Sequence, residues 1–80
     1  MRLPRNLSGG ELITALGRLG YEQTRQRGSH VRLTTLQNGR HDVTVPLHES
    51  LRVGTLSSIL RDVGGHFGIS RDDLMIRLFG

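Results

Sequence analysis

The chain has 80 residues, 35% of them hydrophobic, no cysteine, and a formal net charge of +4 from eleven basic and seven acidic side chains. That length holds a single core, and the absence of thiols excludes disulfide staples and thiolate metal sites and fits a reducing cytosol. Met1-Arg2-Leu3-Pro4-Arg5 has no apolar leader and no stretch is long enough to cross a bilayer, so a cytoplasmic protein is expected. Histidine aside, every basic side chain is arginine, and a pI near 11.4 favours a polyanionic partner.

Leu7-Ser8-Gly9-Gly10-Glu11-Leu12 predicts a helix start, with Ser8 as N-cap, Glu11 completing a capping box and Leu7 stapled onto Leu12. Leu12, Ala15, Leu16 and Leu19 keep helical spacing, and Gly20 supplies a left-handed stop. Tyr21 to Arg27 then reads as a strand that is polar on both faces. Gly28-Ser29 is a two-residue connection of the II′ kind. His30 to Leu36 forms a second strand, and Arg40 to Val45 a third, ended by Pro46. The pleat puts Val31, Leu33 and Thr35 on one face and His30, Arg32 and Thr34 on the other.

Register follows from the hydrophobic pattern. A two-residue Asn38-Gly39 turn would pair Leu33 with Thr44 and leave Val43 and Val45 on the wrong face. A three-residue turn, Gln37-Asn38-Gly39 with Gly39 left-handed, instead pairs Val31 with Val45 and Leu33 with Val43. The Gly28-Ser29 turn then pairs Arg27 with His30 and Arg25 with Arg32. All four side chains share the face opposite the core. This register sends Tyr21 outward unless a bulge or a frayed start returns it.

Gly54-Thr55 opens a second helix with Leu56, Ile59, Leu60 and Val63 on one stripe, and Gly64-Gly65 ends it. Ile69-Ser70-Arg71-Asp72-Asp73-Leu74 repeats the staple, the cap and an acidic third position. The third helix then buries Leu74, Leu78 and Phe79. The order is α-β-β-β-α-α, with the helices covering the Val31/Leu33/Val43/Val45 face and the other face open.

The open face carries the chemistry. Histidine is the side chain whose ordinary pKa lets it give and take protons near neutrality, and guanidinium forks match phosphate oxygens. Cleaving RNA requires a group to take the 2′-hydroxyl proton, another to protonate the leaving 5′-oxygen, and positive charge beside the phosphorus. His30 fits the first or second role and Arg25, Arg27 and Arg32 the third. A turn-flanking surface histidine is the bland alternative. His48 lies just beyond the strand end that faces His30 and suits the second proton-transfer role; a loop histidine that caps a helix or binds water is its alternative. His41 falls in the core-side set as a rim residue, and His66 looks incidental. No metal site or phosphate-binding loop is evident. The free amides where helix two begins are a weak phosphate signal. Aromatic content, 4%, is too low for a base-stacking platform, so recognition of duplex shape, phosphates and 2′-hydroxyls fits better.

Five segments in order carry a family resemblance: Leu7 to Ile13, Leu19-Gly20-Tyr21, Arg27-Gly28-Ser29-His30, Val43-Thr44-Val45-Pro46-Leu47-His48, and Gly54 to Arg61. Together they resemble HicA toxins from about Leu7 to Val63. The resemblance implies an α+β, double-stranded-RNA-binding-domain-like fold, a three-stranded antiparallel sheet with helices on one face. It also implies an mRNA interferase neutralised by a HicB-like antitoxin, and its catalytic histidine matches His30. His48 matches a histidine frequent in the family. Members often carry a second histidine or an aromatic where this chain has Val31, and many have the Gly64 to Gly80 tail only in part.

The expectation is therefore a single domain over residues 1–80, with its core in 7–63 and a helical extension in 69–79. Its function is that of the toxin of a type II toxin–antitoxin system, a metal-independent endoribonuclease acting on mRNA with no cofactor. His30 and His48 are the candidate catalytic residues, and Arg25, Arg27, Ser29 and Arg32 the candidate RNA-binding set. The alternatives are a non-catalytic double-stranded-RNA-binding module and a face that only docks an acidic protein.

Overall fold

Ser8 caps the first helix as its sequence predicts: its hydroxyl accepts from the Glu11 amide at 3.0 Å, and the Glu11 carboxylate accepts from the Ser8 amide at 3.0 Å. The computed structural model describes residues 3–80; Met1 and Arg2, the first two residues of the N-terminal stretch read above for a leader, lie outside the described residues. Helix α1 spans Gly9–Leu16 and tightens into a single 3-10 turn over Gly17–Leu19 before Gly20 turns left-handed at φ 82°. Three strands follow, β1 Glu22–Arg27, β2 His30–Thr35 and β3 His41–Pro46, then helices α2 Val53–Phe67 and α3 Arg71–Phe79. The strands form one antiparallel sheet in the order β1-β2-β3. This is the α-β-β-β-α-α, double-stranded-RNA-binding-domain-like architecture.

The register is the one that buries the valines: Val31 pairs with Val45 and Leu33 with Val43, and all four are buried. In the first hairpin Arg27 pairs with His30 and Arg25 with Arg32, and the left-handed φ falls on Gly28 (58°) and not on Ser29. In the second hairpin Asn38 joins Gly39 in left-handed conformation, at φ 57° and 90°. Asparagine tolerates that region better than most side chains.

A bulge between Gln23 and Arg25 shifts the β1 register by one residue, so that Thr24 is unpaired. Because side chains alternate, one extra residue inverts everything upstream of it. Tyr21 is thereby returned to the core, 4% exposed. The outward position that strict alternation gave it is corrected.

Leu12, Leu16, Leu33, Leu56, Leu60, Leu74 and Leu78 are fully buried, each stabilising the fold by roughly 1.5–3 kcal/mol relative to an exposed position. Helix α2 begins at Val53 and does not end at Gly64-Gly65. It continues to Phe67, and Gly68 (φ 65°) provides the stop, its amide bonding the Gly64 carbonyl. Two glycines weaken a helix by about 1 kcal/mol each but do not break it. Packing decides here, because Gly64 is buried and a methyl group on it would lie 3.3 Å from the Ile69 carbonyl oxygen. In α3, Ser70 caps the Asp73 amide, and Leu74, Met75 and Leu78 are buried; Phe79 is 37% exposed, so Met75 takes the core position expected of it.

Gly9 joins α1 to the end of the sheet. Its amide donates to the His48 carbonyl at 2.9 Å, and a Cβ there would sit 2.0 Å from the Pro46 carbonyl oxygen. The Leu51 amide bonds the Leu7 carbonyl at 2.8 Å. The segment after β3 is therefore held along the start of α1.

Candidate functional site

Strand β1 is exposed along its whole length, and β2 alternates exposed and buried residues from His30 onward. The sheet thus has one face under the helices and one face free. On the free face, next to the first hairpin turn, Arg25, Arg27, His30, Arg32 and Thr44 line a shallow basin. The register explains the grouping. Arg25 faces Arg32, Arg27 faces His30, and Arg32 faces Thr44 on its other side. Residues directly opposite in an antiparallel pair have Cβ atoms about 4.5–5.5 Å apart.

Like charges placed opposite one another destabilise a sheet. Among the described residues, no hydrogen bond or ion pair engages the side chains of Arg25, Arg27 or His30. The guanidinium groups of Arg25 and Arg27 thus have no acid partner within the described residues, and groups of that kind suit phosphate oxygens. The turn itself is fixed by the Leu47 amide, which donates to the Ser29 carbonyl at 2.6 Å. Ser29 is exposed, but its side chain does not line the basin. His48 follows one residue after the Leu47 tether and is exposed; its carbonyl accepts from Gly9, and its ring does not line the basin either. Thr44 was not singled out from the sequence. Its signal was available in the register, since it sits opposite Arg32 on the polar face.

The opposite end of the sheet holds a second group of ionisable side chains. Nδ1 of His41 lies 2.7 Å from the Tyr21 hydroxyl and Nε2 lies 3.1 Å from Asp62 Oδ1. The His66 ring stacks on His41 with centroids 4.5 Å apart, and its Nε2 donates to the Gln37 carbonyl at 2.9 Å. Burial, with the negative charge of Asp62 adding to it, pushes the Tyr21 hydroxyl pKa up from 10.0. His66 is thus not incidental: it joins α2 to the second hairpin. With a partner on each His41 nitrogen and Tyr21 buried, this cluster ties the start of β1, the start of β3 and helix α2 together. Among the described residues, no group of three or more histidine, aspartate or glutamate side chains is arranged to hold a metal ion.

The model of one family, the HicA toxin of bacterial toxin–antitoxin systems, matches residues 9–64. The chain belongs to the HicA family. No curated protein and no solved structure matches it. The matched span contains α1, the whole sheet with its arginine basin, and most of α2. Helix α3 lies beyond it. As a HicA protein the chain is a toxin that works with an antitoxin partner. No helix among the described residues is long and apolar enough to cross a membrane.

Proposed function

We propose that this HicA toxin is an endoribonuclease that cuts mRNA on the open face of its sheet. The observation that carries the reading is an exposed, unengaged imidazole set among three guanidinium groups at the hairpin end of that face. RNA phosphates bind Arg25, Arg27 and Arg32, with Ser29 at the rim of the turn. His30 takes the proton of a 2′-hydroxyl as its oxygen attacks the adjacent phosphorus in line. The bond from phosphorus to the 5′-oxygen breaks, and that oxygen receives a proton from His48 or from water. The arginines stabilise the negative charge that accumulates on the phosphoryl oxygens. The products are a 2′,3′-cyclic phosphate and a free 5′-hydroxyl, and none of these steps requires a metal ion or cofactor. The whole chain acts as one domain, in which α3 extends the HicA core. A HicB-like antitoxin silences the toxin most simply by covering His30, and the setting of that encounter is the cytoplasm.

The test is incubation of a labelled RNA with purified protein in EDTA, wild type beside His30→Ala. Cleavage by the wild type alone is the expected result. Binding without cleavage by both proteins replaces the reading with a non-catalytic double-stranded-RNA-binding module.

A further inference from the structure

The arginine basin lies at the end of the open face next to the first hairpin turn. Beyond it the same face carries an acid. Asp42 is two residues before Thr44 on β3, about 7 Å along the strand, and pairs with Thr34 as Thr44 pairs with Arg32. The Thr34 hydroxyl donates to Asp42 Oδ1 at 2.6 Å, and the Thr24 hydroxyl, at the bulge, lies 3.1 Å from that of Thr34. Arg40 Nε is 3.6 Å from the same Oδ1. The Thr34 hydrogen bond, chiefly, holds the carboxyl below its usual range; partial burial opposes it, and the charges of Arg40 and Arg32 assist it.

For a surface that attracts phosphates, this acid is in the wrong place. It repels the RNA backbone and weakens the field of Arg32. Nor do its neighbours saturate it. Among the described residues both contacts fall on Oδ1, and the one from Arg40 is too long for a hydrogen bond, so Oδ1 can accept once more and Oδ2 twice; the Asp42 side chain is 33% exposed and that of Arg40 71%. A hydrogen-bonded acceptor beside an exposed donor fork, one strand step from the arginine basin, matches the edge of a base and not a sugar-phosphate chain. Unpaired RNA bases are read along their Watson–Crick edges. Guanine alone offers two adjacent donors there, N1–H and the 2-amino group, which a carboxylate accepts together, and its neighbouring O6 accepts from a guanidinium.

We propose that Asp42, oriented by Thr34, and Arg40 form a guanine-reading subsite that selects where this toxin cuts. The proposal rests on the ribonuclease reading above. Asp42 is a specificity residue in this scheme and takes no part in bond breaking.

The experiment has two arms. In the first, a random-sequence RNA pool is cut by wild type and by Asp42→Asn, and the cut ends are sequenced. Asn keeps the size and the Thr34 contact but offers a single acceptor in place of two. Wild type is expected to enrich guanine at one fixed position beside the cut, and Asp42→Asn to lower that enrichment tenfold or more, within the discrimination that a bidentate base contact supplies. Equal profiles, or enrichment of another base at that position, overturn the proposal. In the second arm, His30→Ala binds two single-stranded oligonucleotides that differ only by inosine for guanine, which removes the 2-amino group. Weaker binding of the inosine strand is expected, with the difference vanishing when Asp42→Asn is added. If wild type cuts nothing yet this difference is found, the ribonuclease reading fails and the guanine subsite stands. No difference between the strands overturns the subsite.

Discussion

His30 and His41 begin adjacent strands at opposite ends of one β-ladder, and their surroundings could hardly differ more. His41 is on the core side with a side chain 17% exposed; each ring nitrogen has a partner, and a second imidazole is stacked on it. His30 is exposed on the free face, beside Arg27 and near Arg25 and Arg32, and among the described residues no partner engages its ring. A ring with a partner on each nitrogen, stacked on a second imidazole, fixes the geometry of the elements that supply those partners. A free ring among cations contributes little to stability and remains available for chemistry. The acids divide by face as well: Asp62 bonds the core-side His41, while Asp42 bonds Thr34 on the open face.

The largest expected effect breaks the comparison at the turn. His30→Ala should lower RNA cleavage by about 10²–10⁴-fold, the contribution of a positioned acid–base group, with no loss of thermal stability. A matching fall in the melting temperature would show that His30 is structural after all. The second contrasts the two faces of β2. Leu33→Ala, at a fully buried position, should cost about 2–5 kcal/mol in urea unfolding. Arg32→Ala, its neighbour on the open face, should change stability by no more than about 0.5 kcal/mol while reducing RNA affinity and its salt dependence.

The third addresses the His41 end. Tyr21→Phe removes the hydroxyl bonded to His41 and should cost about 1 kcal/mol at neutral pH. It should also change the alkaline limb. The Tyr21 pKa is raised in the folded state, so its contribution to stability is fully present below the ordinary value of 10.0 and is lost as pH rises above it. Denaturant unfolding across that range should show a falling stability that Tyr21→Phe flattens. The smallest effect belongs to the exposed capping box. The Ser8 amide and hydroxyl hold the Glu11 carboxyl below 4.5, so its contribution is present above that pH and is lost as pH falls through the lowered folded-state value. Glu11→Gln should flatten that part of the acid limb.

Much of the site was legible before folding because it depends on short-range rules. Gly28-Ser29 fixes a two-residue turn, alternation fixes the faces, and together they bring Arg25, Arg27, His30 and Arg32 to one surface. Thr44 and Asp42 were equally determined by the register, but as single polar residues on a strand they gave no signal without their neighbours. Tyr21 was misplaced because a one-residue bulge at Thr24 leaves no mark in the hydrophobic pattern of an exposed strand. The α2 boundary was misplaced because Gly64-Gly65 reads as a stop locally, whereas Gly64 is small so that the turn into α3 can approach it.

The sequence by itself determined the caps of α1 and α3, the strand pairing and the cationic face, since capping and pleating act between residues a few positions apart or joined by a tight turn. The tertiary structure alone decided the burial of Tyr21, the joining of His41 to Asp62 and His66, and the contact of Gly9 with the end of β3. Those contacts connect residues far apart in the chain, and their partners are chosen by how whole elements pack, a quantity that no local pattern encodes.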